Sequence, residues 1–309
     1  MTKFVRLAKE NIRDFLEFIL VPGLAAVLPW PLCFRLFRLL TKWPGLYNQA
    51  VEAMLTGAQD MGYVCNKQQW ARDYRLQMLV DQADLYLSRF RSDKWLDQHF
   101  QARGDVWPVS ADRSTMGITF HWGTGLLVFR YLRRQGIEAA GIFQGSNHES
   151  FTHRPIRQWY GRWRIREVER SGGCAAIFTG RKTITQLRET LAQNRAVIAL
   201  LDIPPDGSMP GIPVQIFDQK AQFPRGLIRI ATRKQLPVVG FTVALDRNTG
   251  MRILRTKGPL PNANEQELMD SLAQLFREAI SRDPVAWYFW PFARSFFTHP
   301  KHNLESPSV

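Results

Sequence analysis

The chain has 309 residues, 45% of them hydrophobic and 22% charged, enough to bury the core of one large α/β domain with an appendage. Its 41 Lys and Arg against 27 Asp and Glu give a formal charge of +14, which calls for an anionic partner, either nucleic acid or an anionic membrane surface. Three widely spaced cysteines, Cys33, Cys65 and Cys174, fit neither a disulfide framework nor a metal motif and suggest a reducing cytoplasmic location. Many of the ten Trp lie near the two ends and around Trp159 and Trp163, and aromatics mixed with Lys and Arg suit a membrane interface.

The chain opens with Lys3, Arg6, Lys9 and Arg13, followed by an apolar run over 15–34. Glu17 lies within this run, and Pro22, Gly23, Pro29 and Pro31 interrupt it, so it reads poorly as a membrane-spanning helix. It has no small-residue cleavage site of the usual form, so a removed signal peptide is not expected. Two readings of residues 1–45 remain: an interfacial anchor dipping into one leaflet, with Arg35, Arg38 and Lys42 on its polar side, or a packed helical hairpin. Residues 47–103 carry good helix formers, with Val51, Leu55, Tyr74, Met78, Leu79, Leu85 and Leu87 at helical spacings. They read as the helical N-terminal layer of an α/β domain over 46–309.

From there strand and helix patterns alternate. Strands are predicted over 117–120, 139–143, 175–178, 196–203, 214–217 and 238–245, with helices over 126–134, 182–193, 224–234 and 265–282. This order predicts a mixed, largely parallel sheet flanked by helices.

The chemistry gathers at the ends of these strands. His121 follows the strand at 117–120 and is followed by Gly123 and Gly125, which permit a sharp turn. Ligands of open α/β sheets bind beyond the carboxyl ends of the strands, where a histidine can serve as general base; the alternative is a structural histidine capping a turn. Asp202 closes the apolar strand at 196–203, placed to orient a histidine or a substrate hydroxyl, or to cap its own turn. The run over 153–166 interleaves Arg154, Arg157, Arg162 and Arg164 with Trp159, Tyr160 and Trp163, suited to phosphate groups and flat apolar surfaces, or to a solvated basic helix face. Arg225 and Gly226 open the predicted helix at 224–234, whose free N–H groups can hold an anion or oxyanion. There is no Gly-x-Ser-x-Gly elbow and no metal-ligand set, so neither a serine hydrolase nor a metalloenzyme is supported.

The strand ending in His121, Asn147, the Arg157–Gly161 run, the strand closing on Asp202, the strand at 214–217, Phe223-Pro224-Arg225-Gly226, Pro237-Val238-Val239 and the aromatic stretch Trp287–Trp290 occur in an order similar to that of a known family. Over roughly residues 10–295 the chain resembles the bacterial lipid A secondary acyltransferases of the lysophospholipid acyltransferase superfamily. The resemblance implies a membrane-associated enzyme on the cytoplasmic face of the inner membrane, bound to its anionic lipids. It would move an acyl chain from an acyl carrier protein or coenzyme A thioester to a lipid or glycolipid acceptor, with no cofactor beyond that co-substrate. His121 would be the general base, with Arg154, Arg157, Asn147, Arg225 and Gly226 contacting donor or acceptor. One position departs from the pattern. The superfamily places Asp or Glu after four residues following the histidine, and here Leu126 stands there. Asp202 or Glu149 would replace that acid, His121 would act alone on an easier acceptor, or the chain would be a non-catalytic membrane- and carrier-binding relative. A nucleic-acid-binding protein fits the charge but leaves the apolar run at 15–34 unexplained, and nucleic acid is not the expected partner.

Overall fold

The computed structural model describes residues 3–63, 66–108, 113–144, 154–203, 211–216 and 219–297. The N-terminal part is helical: α1 (Lys3–Asp14), a π-helical turn (Phe15–Leu20), α2 (Val21–Val27), α3 (Trp30–Leu40), α4 (Asn48–Asp60), α5 (Lys67–Phe90) and α6 (Asp93–His99). The prolines that break the apolar run in sequence sit where helices begin, Pro22 in the first turn of α2 and Pro29 and Pro31 at the start of α3. At the start of α3 a missing N–H costs nothing; at Pro22, where helical backbone runs on directly from the π-helical turn, the Glu17 and Phe18 carbonyls accept from the Tyr47 and Tyr86 hydroxyls at 2.5 Å and 2.7 Å. Helix α5 begins where the Asn66 side chain accepts from the Gln69 N–H at 3.0 Å, satisfying one of the donors a helix start leaves open.

Next come β1 (Phe100–Gly104), β2 (Met116–Thr119), α7 (Leu127–Arg134), β3 (Ala139–Phe143), α8 (Pro155–Gly172), β4 (Ile177–Phe178), α9 (Thr183–Ala192) and β5 (Ala196–Leu200). The chain continues through β6 (Ile212–Ile216), β7 (Gln219–Phe223), α10 (Gly226–Arg233), β8 (Val238–Leu245), β9 (Arg252–Lys257), α11 (Glu265–Arg282) and the 3-10 turns Pro284–Ala286 and Trp290–Phe296. Among the described residues the main sheet has seven strands in the order β1-β9-β8-β2-β5-β3-β4. From β8 to β4 all neighbours run parallel, while β9 is antiparallel to β8 and β1 parallel to β9. Strand β2 is buried at every position, as expected of a central parallel strand covered on both faces.

Two strands of this sheet differ from the sequence expectation. β1 ends the stretch read as helical, and β9, Arg-Ile-Leu-Arg-Thr-Lys, carries too few apolar residues for a strand signal. It becomes a strand because β8 and β1 pair with it on either side. The strand expected at 214–217 is half of an antiparallel hairpin, β6 with β7, in which Ile212 faces Phe223.

The N-terminal helices share the core of the sheet domain: Ala25, Cys33 and Phe37 are fully buried in it. Their inward face carries Asp14 and Glu17, both buried. Their other face leaves Ile12, Phe15, Leu20, Val27, Leu32, Leu39 and Trp43 exposed. No helix of the described residues is long and apolar enough to cross a membrane.

Candidate active site

Strands β2 and β5 pair in parallel with Thr119 opposite Leu200, so residues 121 and 202, each two further on, emerge side by side at the carboxyl edge of the sheet. The ladder runs from the Val197 N–H to the Thr115 carbonyl up to the Leu201 N–H, which reaches the Thr119 carbonyl at 2.8 Å. The next rung of a parallel ladder would take the His121 N–H to the Leu201 carbonyl. Instead that carbonyl accepts from Ile203, and the His121 N–H points at the Asp202 carboxylate, 2.9 Å from each oxygen.

The side chains meet as well. His121 Nδ1 lies 3.0 Å from Asp202 Oδ1, and the Trp287 indole N–H donates to Oδ2 at 2.7 Å. Asp202 is fully buried, whereas the His121 side chain keeps 28% of its surface exposed. A carboxylate only accepts hydrogen bonds, so the Nδ1 edge carries the proton and Nε2 of the neutral ring presents a lone pair. The Phe289 ring stacks on the imidazole, with centroids 3.7 Å apart and planes 17° from parallel.

The turn behind His121 is held from both sides. Gly123 adopts a positive φ of 59°, and a Cβ there would fall 1.8 Å from the Val243 carbonyl oxygen on β8. The Gly123 N–H donates to the Ala286 carbonyl at 2.9 Å, and the Tyr288 N–H to the His121 carbonyl at 2.8 Å. The stretch after α11 therefore pairs with the His121 turn and brings Trp287 and Phe289 to it.

The structure separates the residues expected from the sequence. Asp202 and His121 come together. Leu126, where the resembled family has its acid, is 3% exposed and packs in the apolar cluster of Leu127, Val128 and Trp107, so the acid at 202 reaches His121 from the neighbouring strand instead. Asn147 and Glu149 lie outside the described residues. Arg154 and Arg157, expected at a ligand, both turn onto Asp14, although the Nε of Arg157 is buried without a hydrogen-bond partner among the described residues. Arg154 Nε is 2.8 Å from Oδ2, its Nη2 bonds Oδ1, and Arg157 Nη2 is 3.2 Å from the same Oδ1. Arg157 also lies 5.0 Å above the Phe18 ring, and burial pulls its pKa below the ordinary arginine value. Arg164 pairs with Asp81 at 2.7 Å, while Arg162 is exposed. Arg225 forms an ion pair with Glu265, and Gly226 opens α10 with no atom near its Cβ position. No hydrogen bond or ion pair joins Arg225 or Gly226 to His121 or Asp202 among the described residues. No group of His, Cys, Asp or Glu among them could hold a metal ion.

Trp287 and Phe289 are the site residues that sequence reasoning passed over. Their one local signal is the density of aromatics in 287–292, which fits core packing equally well. No protein-family model matches the chain, and no curated protein matches its sequence.

Proposed function

We propose that the protein is an acyltransferase acting at a membrane surface, with His121 as general base and Asp202 as the acid that orients it. The observation that carries this reading is the 3.0 Å contact between His121 Nδ1 and the buried Asp202 carboxylate at the carboxyl edge of a parallel sheet, with the His121 side chain left partly exposed. In the proposed reaction Nε2 takes the proton of an acceptor hydroxyl or amine as the freed nucleophile attacks the carbonyl carbon of an acyl thioester. The carbonyl π pair moves onto oxygen. Collapse of the tetrahedral intermediate expels the thiolate, which recovers the proton from the imidazolium. Asp202 keeps Nδ1–H in place and stabilises that cation.

The order of motifs supports an acyl thioester as donor and a lipid or glycolipid as acceptor. Association with an anionic membrane surface is supported by the exposed apolar side chains of the N-terminal helices and by the +14 charge, while the cytoplasmic face of the inner membrane is what the family resemblance implies.

One experiment tests these elements together. Purified protein is mixed with vesicles of anionic phospholipid carrying a total lipid extract, and with acyl carrier protein loaded with chains of several lengths. The expected results are sedimentation with the vesicles and a new acylated lipid by mass spectrometry, lost in His121→Ala by a factor of about a thousand or more while the fold is retained. Undiminished transfer in His121→Ala would remove the mechanism, and protein left in the supernatant would remove the membrane assignment.

A further inference from the structure

Asp202 receives more donors than the two strands of the site supply. His121 provides its main-chain N–H and its Nδ1–H; the remaining donor, Trp287 Nε1–H at 2.7 Å, comes from a segment eighty-five residues away in sequence. That donor has a specific mechanical effect. One residue supplies both of these groups, the His121 main-chain N–H lying 2.9 Å from each oxygen and its Nδ1 3.0 Å from Oδ1, so with these alone the carboxylate could shift together with the residue it orients. A third donor on Oδ2, coming from another part of the chain, fixes the carboxylate plane and therefore the direction in which Oδ1 faces Nδ1. It also gives Oδ2 a donor of its own beside the main-chain N–H that the two oxygens share.

The donor is itself rigidly held. The indole is 1% exposed and lies edge-on to Phe276 and Trp290, with centroids 5.1 Å and 4.9 Å away. Its backbone is fixed by the bonds from Gly123 to Ala286 and from Tyr288 to His121, and by Gln77 of α5, whose Nε2 donates to the Ala286 carbonyl at 3.0 Å. Two residues on, Phe289 lies flat against the imidazole and resists rotation of the ring.

We infer that Trp287 is a positioning residue of the general base: its indole N–H locks the Asp202 carboxylate so that His121 is held as the Nδ1–H tautomer with Nε2 open, and Phe289 backs the ring. The stretch after α11 is thus part of the site's machinery, in a way the acid spacing of the resembled family would not suggest. The inference rests on the general-base reading of His121.

Because so buried an indole also packs, the test removes the donor and keeps the shape. Site-specific replacement of Trp287 by 3-benzothienylalanine exchanges the N–H for sulfur in a ring of nearly the same outline. The tautomer of His121 is read by nitrogen NMR of protein labelled in its histidines, a measurement that needs no substrate. Wild type is expected as the Nδ1–H form and the sulfur analogue as a mixture of both tautomers. In the acyl-carrier assay kcat should fall about tenfold with KM changed by less than about twofold, since the loss falls on the reacting geometry and not on substrate binding. Trp287→Phe, which also lacks the donor, should move both readouts in the same direction. A sulfur analogue that keeps the Nδ1–H tautomer would overturn the inference. A wild type in the Nε2–H form would instead overturn the pairing of His121 with Asp202, so the two failures are distinguishable.

Discussion

Two buried aspartates near the carboxyl edge of the sheet have all their oxygens engaged, yet they do different things. Asp14, on the last residue of α1, is gripped by the guanidinium groups of Arg154 and Arg157 at the start of α8. Asp202 is surrounded by N–H donors of an amide, an indole and an imidazole. Both are fully buried, so burial does not separate them. The partner does: arginine stays charged at any accessible pH and offers no acceptor, whereas imidazole bonded through one nitrogen keeps a second free to take a proton. The first arrangement is a clamp holding the N-terminal helix to α8; the second is suited to proton transfer.

That contrast can be broken most sharply by making the same change in both places. Asp202→Asn should lower acyl transfer by about three to four orders of magnitude, because an amide can present the wrong group to Nδ1 and turn the ring's proton to Nε2. Asp14→Asn should leave the rate per folded molecule close to wild type and cost about 3 kcal/mol of stability in denaturant titration, since it strands two guanidinium groups whose partner was buried. If Asp14→Asn instead abolished turnover in a fully folded protein, the clamp would belong to the site and the distinction would fail.

Moving the acid to the place where the resembled family carries it sharpens the comparison from the other side. Leu126→Glu would put a carboxyl into the buried apolar cluster that includes Leu127, Val128 and Trp107. The expected outcome is destabilisation by a few kcal/mol with no gain in rate. A gain in rate with stability unchanged would mean that position 126 can reach the imidazole, contrary to its packing.

The smallest expected effect is at Glu17, which shares the inward face of the N-terminal helices with Asp14. Its carboxylate accepts from the Tyr47 N–H at 2.7 Å, and burial outweighs that bond and raises its pKa above the ordinary carboxylate value. A carboxyl whose folded pKa exceeds its unfolded one makes its best contribution when protonated in both states and loses stability as pH rises through the interval between the two values. Glu17→Gln keeps an acceptor for Tyr47 and removes the charge. The melting temperature of the variant relative to wild type should therefore rise as pH is raised above about 4.5, the ordinary value for this group. A difference that stays flat from pH 4 to 8 would show that Glu17 is solvated.

These residues also mark how far the sequence could be read. The alternation of apolar strands and amphipathic helices identified the α/β class, and the strand-then-glycine pattern placed His121 at a strand end, because both depend on neighbours within a few residues. The same local reading placed Asp202 at the end of another strand but left its role open among orienting a histidine, holding a substrate and capping a turn. Strand order decided among these: once β5 lies beside β2 in this register, residues 121 and 202 are adjacent.

The arginines of 153–166 show the limit most clearly. In sequence Arg154, Arg157, Arg162 and Arg164 are equivalent members of a basic run. In the fold two are turned onto Asp14, one onto Asp81, and one is left exposed. No local pattern carries that division, because it depends on which helices α8 meets. Trp287 and Phe289 were hidden for the same reason. An aromatic side chain has the same local signature whether it only fills a core or also holds a buried carboxylate, and only the pairing of the residues after α11 with the His121 turn, across more than 160 residues of chain, determines which it does.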